Sequence, residues 1–133
     1  MELLDYTTIL RESVLNGRFS LLTFINDSLG AFDLQSINDQ VLYSEKTTST
    51  SGIIWKNGKT IIFQKCFKAL SDMQHGDIIC TLPYNCYWTY MTANYNNMAF
   101  NALIYDNGKD VLVDKMNITK DEFFFVCGIV VIK

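Results

Sequence analysis

The sequence predicts a mainly β protein: an antiparallel β-sandwich of the jelly-roll type, preceded by a short N-terminal segment with helical or mixed structure. Two Asn-Gly pairs, Asn57-Gly58 and Asn107-Gly108, each lie between strand-like runs, and this pair is a strong signal for a β-hairpin. About seven short apolar runs separated by turn residues follow residue 52, as in sandwich and jelly-roll folds. With 133 residues, 49% of them hydrophobic, the chain can bury the core of one such domain.

Residues 1–45 form the predicted N-terminal segment, for which we expect a role in attachment or as a neck. Asp5 can cap a short helix that Gly17 ends, because aspartate favours the N-cap and glycine the position just after a helix. The tract at 44–52 contains only small or charged residues and is predicted to be a loop or linker. We therefore place the β-sandwich head domain at residues 46–133.

The head domain begins with a predicted hairpin. Asn57-Gly58 lies between apolar runs at 53–55 and 60–67. Asn-Gly suits a type I′ turn, in which both central residues need a positive φ angle. The second Asn-Gly pair, at 107–108, has the same kind of flanking runs. We therefore expect two hairpins with the same turn chemistry.

Two further strands are predicted between the hairpins, at 77–82 and 87–93. Pro83, the only proline of the chain, follows the first of them. Proline cannot donate a hydrogen bond within a sheet, so we expect Pro83 to mark the place where the chain leaves the sheet. The sequence ANYNN at 93–97 is the least core-like part of this region and is predicted to be an exposed loop.

The last predicted strand, at 123–132, is apolar on both faces. Both sets of alternate positions hold phenylalanine, valine and isoleucine, with Cys127 on one side and Gly128 on the other, whereas a strand of an antiparallel sandwich normally has one polar face. Either the N-terminal segment or a neighbouring subunit must cover the second face, because a bare apolar face favours aggregation. We favour the neighbouring subunit.

Charge and hydropathy exclude several kinds of partner. The formal net charge is −3 and no block of like charge occurs, so we expect no nucleic-acid partner. No apolar run reaches the roughly 18 residues of a membrane span, so no membrane insertion is expected. The N-terminus lacks the features of a signal peptide. We expect synthesis in a reducing cytoplasm, with all four cysteines as free thiols.

Residues arranged for catalysis are scarce. His75, the only histidine, has no evident partner, and Asp106, Asp110 and Asp114 flank a predicted turn without the spacing of a calcium loop. Zinc-ligand spacing, phosphate-binding glycine loops and nucleophile motifs are missing from the sequence. We therefore predict no enzyme activity, no metal and no cofactor.

The segment Tyr84–Phe100 is uncharged and rich in aromatic and amide side chains. An aromatic ring stacks on the apolar face of a sugar, and asparagine can donate to and accept from its hydroxyl groups. Alternation along a strand buries every second side chain, so packing in the core is the competing explanation for each ring. The candidate saccharide-binding residues are Tyr84, Trp88, Asn94, Tyr95, Asn96 and Asn97.

From residue 52 onward the sequence resembles the C-terminal head domains of phage tail fibres and baseplate receptor-binding proteins. The shared features are GIIWKNGKTIIF at 52–63, GDIICTLP at 76–83, LIYDNGKDVLV at 103–113 and an apolar strand at the chain end. One departure is that such heads often carry a second proline soon after the first, where this chain has NCYW. In such heads the leucine-proline step closes a strand before a long surface loop.

The resemblance implies a homotrimeric β-sandwich head in the tail or baseplate of a virion. It implies binding to a saccharide on the host cell surface, contacts with other virion tail proteins, and no enzymatic step. The alternative is a structural virion or assembly protein with the same sandwich, whose aromatic loop binds another protein. A glycan hydrolase is the third hypothesis, but it needs paired carboxylates in a cleft, and residues 84–100 contain none.

Overall fold

The computed structural model describes residues 34–133, and these form a mainly antiparallel β fold. This confirms the predicted fold class, whereas the helix predicted between Asp5 and Gly17 lies outside the described residues. Between residues 34 and 133 there is one 3-10 helix, Asn38–Gln40, and no α-helix, and no helix there could cross a membrane. The strands are β1 (Leu34–Ser36), β2 (Leu42–Tyr43), β3 (Thr47–Asn57), β4 (Thr60–Ala69), β5 (Ile78–Cys86), β6 (Thr89–Tyr95), β7 (Met98–Ile104), β8 (Gly108–Asp114) and β9 (Phe123–Val131).

The nine strands belong to one curled, sandwich-like sheet. Their order is β1-β3-β4-β9-β6-β7-β8-β5-β2. The last strand of the chain, β9, pairs in antiparallel fashion with β4 on one side and β6 on the other. The edge strands β1 and β2 come from residues before the boundary that we predicted at residue 46. The sheet therefore begins earlier in the chain than the sequence suggested.

The polar tract at 44–52 is not a linker, because most of it belongs to β3. Thr47, Thr48, Ser49 and Ser51 pair with β4, with an irregularity between Ser49 and Ser51. Thr47 is buried, and its hydroxyl donates to the carbonyl oxygen of Ile79 at 2.5 Å. The linker prediction was wrong because backbone pairing does not require apolar side chains, and β-branched threonine fits a strand well.

Both Asn-Gly pairs lie at hairpin turns, but neither forms the predicted type I′ turn. Between β3 and β4 the central residues are Gly58 and Lys59, and only Gly58 has a positive φ angle, 59°. Between β7 and β8 the positive φ angle, 61°, belongs to Asn107. Two consecutive positive φ angles, 50° and 61°, occur instead at Asn96-Asn97, which joins β6 to β7. Asparagine tolerates this conformation better than most residues.

Pro83 lies inside β5 and does not end the strand. In the pairing of β5 with β8, Thr81 lies opposite Asp110 and the next pair is Cys86 with Gly108. The residues between Thr81 and Cys86 thus face a much shorter stretch of β8, as in a bulge. Proline fits such an irregular stretch because no regular hydrogen bond from its nitrogen is required there.

Alternation along β9 separates a buried face from an exposed one. Phe124, Val126 and Val130 point into the core and are at most 2% exposed, and the ring of Phe124 stacks on Phe67 with centroids 5.4 Å apart. The odd-numbered residues 123–131 point outward and are exposed. The sequence predicted two apolar faces for the last strand. Within the described part of the chain, the core covers only one of these two faces of β9.

One lysine lies among the inward-facing residues of β4. Lys65 is only 4% exposed, and its ammonium group donates to the carbonyl oxygen of Gly52 at 3.1 Å. Gly52 has a φ angle of 84°, and a Cβ atom there would lie 2.1 Å from the carbonyl oxygen of Gln64. This close approach requires glycine. Burial lowers the pKa of Lys65 below its usual value of 10.5, because it penalises the charged form.

We predict that Lys65 makes stability depend on pH. Its pKa is lower in the folded chain, so the unfolded chain binds more protons between the folded pKa and 10.5, and the stability of the wild type rises with pH across that interval. Lys65→Met removes this dependence. We expect urea unfolding of both proteins from neutral pH to pH 10 to show the free energy of unfolding of the wild type rising relative to that of the variant. A difference that stays constant with pH would contradict the buried position of Lys65.

Candidate functional site

Strand β6 and the turn after it divide the predicted ligand residues between two faces of the sheet. Asn94 points outward, because it pairs with Phe125 on the exposed side of β9. Tyr95, the next residue, points inward and is buried. The turn residues Asn96 and Asn97 are both exposed. The outward asparagine therefore lies near the two turn asparagines at the same end of β6.

These three asparagines line one open cavity of about 320 Å³, which we call the asparagine cavity. Strand β9 supplies most of the remaining lining. The lining residues are Cys66, Asn94, Asn96, Asn97, Phe123, Phe124 and Phe125. Three of the six residues predicted to bind a saccharide therefore meet at one site.

The asparagine cavity combines hydrogen-bonding amides with aromatic surface. Each asparagine side chain offers two N–H donors and one carbonyl acceptor. Phe123 and Phe125 are 55% and 39% exposed, so both present ring surface to a ligand. No residue that lines the cavity is charged. This arrangement suits a neutral molecule that has both hydroxyl groups and an apolar ring face.

Tyr95 does not line the asparagine cavity, and its predicted placement in an exposed loop was wrong. It is the last residue of β6, on the same buried face as Ala93. Its hydroxyl donates to the carboxylate of Glu122 and accepts a hydrogen bond from the backbone N–H of Thr119 at 3.3 Å. Because Glu122 directly precedes Phe123, Tyr95 positions the beginning of β9 from inside the fold.

Trp88 is exposed but lies far from the asparagine cavity. Its ring packs edge-on against Tyr90, with centroids 4.9 Å apart. Trp88 directly precedes β6 and comes six positions before Asn94, which corresponds to about 20 Å for an extended chain. One sugar unit cannot span this distance. Trp88 therefore belongs to a second, aromatic part of the surface.

Tyr84 lies in a third part of the molecule, apart from the asparagine cavity and from Trp88. Its ring is partly buried against the core, and the Lys56 ammonium lies 5.6 Å from the ring centre. Its hydroxyl donates to Oε1 of Gln40 at 3.5 Å. Neither neighbour lines the asparagine cavity. The structure therefore does not bring Tyr84 together with the asparagines.

Sequence reasoning missed Phe123, Phe125 and Cys66 as parts of the site. The two apolar faces of the last strand were a signal that its outward phenylalanines needed an explanation. What could not be read from the sequence was the pairing of β9 with both β4 and β6. That pairing joins segments far apart in the chain.

Titratable groups in the described chain show no arrangement for nucleophilic or metal chemistry. Burial raises the pKa of Cys80, with a further contribution from the Asp110 carboxylate, and burial raises the pKa of Cys86. Both thiols thus stay protonated and are poor nucleophiles. The ring nitrogen Nδ1 of His75 accepts a hydrogen bond from the backbone N–H of Lys115 at 2.9 Å. Residues 34–133 contain no cluster of three or more His, Cys, Asp or Glu side chains that could hold a metal ion.

Two other cavities, of about 520 and 550 Å³, are larger but have charged linings. Both include Lys46, whose ammonium group forms an ion pair with Asp77 at 3.0 Å. Asp72 lines the first, while Glu45 and Asp77 line the second. Neither lining includes an exposed phenylalanine ring on which the apolar face of a sugar could stack. The asparagine cavity is therefore the better candidate despite its smaller volume.

We predict that Tyr95 stabilises the fold. Tyr95→Phe should lower the free energy of unfolding by about 1–2 kcal/mol, because it removes a hydrogen bond to a carboxylate. Tyr95→Ala should cost about 3 kcal/mol or more, because it empties a buried site. Tyr105→Phe is the control, since Tyr105 is 57% exposed, and should change little. Thermal and urea unfolding measure all three, and a Tyr95→Ala variant as stable as wild type would refute the inward placement.

Comparison with known proteins gives no family assignment. No family model, no curated protein and no solved structure matches the chain. The resemblance to phage tail-fibre heads therefore rests on the short motifs in the sequence and stays a prediction. Any function must be inferred from the cavity and the surfaces of the molecule itself.

Proposed function

We propose that this protein is a non-catalytic adhesin that binds a neutral saccharide in the asparagine cavity. The observation that supports this most is the convergence of Asn94, Asn96 and Asn97 on the exposed rings of Phe123 and Phe125. The amides can bind sugar hydroxyls while a ring covers the apolar face of the sugar. None of the lining residues is charged, which suits a neutral glycan, and the Lys68 ammonium group lies beside the lining, 5.9 Å from the ring centre of Phe123.

The size and shape of the cavity favour recognition of one sugar unit at the end or side of a longer glycan. Its volume of about 320 Å³ lies at the lower end of the range for ligand pockets. Because the cavity is open, a longer chain can continue past it into solvent. Affinity for one site is expected to be modest, in about the micromolar to millimolar range, and several copies would raise the avidity.

The motif resemblance supports a virion setting for this adhesin, in a phage tail or baseplate. There the saccharide would lie on the host cell surface, the other neighbours would be virion tail proteins, and the head would be a homotrimer. A second candidate function is a structural virion or assembly protein that binds another protein. The exposed Trp88 and Tyr90 support it, because aromatic residues are enriched at protein interfaces.

We predict that two variants of the asparagine cavity lose saccharide binding and keep the fold. Asn97→Gly removes an amide while glycine accepts the positive φ angle of 61°. Asn94→Ala removes an exposed amide from β6. Each should weaken binding by about tenfold or more, equivalent to about 1.4 kcal/mol, with a nearly unchanged melting temperature.

The experiment is a glycan array with the purified wild type, followed by calorimetric titration of the best glycan. Asn101→Ala is the matched control, because Asn101 is also an exposed, outward strand asparagine but does not line the cavity. It should bind like wild type. A wild type that binds no glycan, or cavity variants that bind as well as Asn101→Ala, would refute the proposal.

We also predict that Trp88→Ala leaves the affinity for a mono- or disaccharide unchanged. Trp88 directly precedes β6 and comes six positions before Asn94, which is about 20 Å for an extended chain, so it is out of reach of a short ligand held by Asn94. Titration of the variant with the same glycan, shortened to two units, tests this. A large loss of affinity with an intact fold would show that the ligand is bound at the Trp88 end instead.

A further inference from the structure

We propose that one end of the sheet binds single-stranded nucleic acid. This inference is independent of the saccharide proposal. Four short segments meet at this end of the molecule, at 56–59, 84–90, 105–109 and 131–133. We call this surface the lysine–aromatic end, and it includes the exposed residues Lys59, Tyr87, Trp88, Tyr105, Lys109 and Lys133.

Pairing between distant parts of the chain holds the four segments together. The backbone N–H of Ile132 donates to the carbonyl oxygen of Lys59 at 2.7 Å, and Ile132 also forms an isolated β-bridge with Cys86. The carbonyl oxygen of Cys86 accepts a hydrogen bond from the backbone N–H of Asn107 at 3.0 Å. One residue from each segment thus takes part in a single chain of contacts, so the side chains of all four segments lie on one small part of the surface.

Positive charge is concentrated at the lysine–aromatic end. Its four segments contain four lysines and one acidic residue, Asp106, whereas the rest of residues 34–133 contains five lysines and eight acidic residues. The nearest other acidic residue in the sequence is Asp110, which accepts a hydrogen bond from the Thr81 hydroxyl at 2.6 Å. Our expectation of no nucleic-acid partner rested on the net charge of the whole chain, which does not show a local excess of this kind.

Most of the lysines at this end are available to a ligand. Lys133 forms an ion pair with Asp106 at 3.0 Å, and both side chains are partly exposed. The other three lysines form no ion pair with a described residue, and these are Lys56, Lys59 and Lys109. The Lys56 ammonium group lies 5.6 Å from the ring centre of Tyr84. The surface can therefore bind several anionic groups at once.

Exposed aromatic rings are interleaved with these lysines. Tyr87, Trp88 and Tyr105 are 51%, 55% and 57% exposed. The Lys133 ammonium group lies 4.9 Å from the ring centre of Tyr87, so charge and ring surface are in direct contact. The edge-on contact between Trp88 and Tyr90 occupies a ring face of only one partner. Rings with a free face are therefore presented beside ammonium groups.

Single-stranded nucleic acid is the ligand that matches both features. Its phosphates bind lysine side chains, and its unpaired bases stack on exposed aromatic rings. A duplex keeps its bases inside the stack, and an acidic polysaccharide or a polyphosphate has no planar base. Because every base has a flat face, we expect binding that depends little on the nucleotide sequence.

The first experiment measures the fluorescence anisotropy of a labelled oligothymidylate of about twelve nucleotides, mixed with the full chain at several salt concentrations. Lys59→Gln combined with Lys109→Gln should weaken binding about tenfold. It should also reduce the slope of log affinity against log salt by about 1.4, because two phosphate contacts are lost. The matched control combines Lys115→Gln with Lys120→Gln, since both lysines are exposed and lie beyond the other end of β8. This control should bind like wild type.

The second experiment tests stacking with the same oligonucleotide. Trp88→Ala should weaken binding by about fivefold or more, because a base loses its aromatic partner. Phe123→Ala is the matched control, since Phe123 is equally exposed, at 55%, but lines the asparagine cavity. It should bind the oligonucleotide like wild type. If Trp88→Ala does not fold, Tyr105→Ala replaces it with the same expected loss.

Inorganic polyphosphate and alginate serve as competitors, because they carry repeated negative charge without bases. Each should displace the oligonucleotide only at a charge concentration about tenfold higher than that of an unlabelled oligonucleotide, since stacking is missing. A wild type that binds no oligonucleotide, displacement at equal charge concentration, or equal losses in the variants and their controls would overturn the proposal. Each of these results is separate from the glycan array, which tests the asparagine cavity at the other end of β6.

Discussion

The fold depends on the antiparallel pairing of β9 with both β4 and β6. Without β9, the sheet order would separate into β1-β3-β4 on one side and β6-β7-β8-β5-β2 on the other. The last strand therefore closes the sheet and also supplies core side chains, among them Phe124, which stacks on Phe67. Because its partners lie far away in the chain, the residues near the C-terminus hold together parts that local hairpins cannot join.

The register of β9 also determines the functional surface. Phe125 lies beside Asn94 and Cys127 beside Thr92, so the outward residues of two distant segments form one continuous face. A shift of the register by one residue would turn the outward residues inward and the core residues outward. The partly buried hydrogen bonds of Tyr95 to Glu122 and Thr119 stabilise this register just before β9 begins. A residue predicted to touch the ligand thus acts instead as a support for those that can.

Local signals in the sequence predicted where hairpins occur better than they predicted the turn geometry and the ends of the strands. Asn-Gly pairs located two hairpins, because their turn chemistry acts over a few residues. The turn geometry was missed, since the central residues at the first turn are Gly58 and Lys59. For the candidate site, the asparagines were found but Tyr95 was misplaced, because β6 continues two residues beyond the strand predicted at 87–93. Which aromatic side chains of an alternating strand face the core depends on how that strand pairs with distant strands. A sequence pattern does not show this pairing.

The two ends of the outward face of β6 and β9 differ in chemistry. Amide groups concentrate at the turn after β6, where they can replace the water around a sugar. Apolar side chains concentrate at Ile129 and Val131, where removal from water is the main gain. If several copies are displayed together, as proposed for a virion head, weak single sites can act together on a surface that carries many identical glycans, so a shallow cavity would be sufficient for the proposed adhesion.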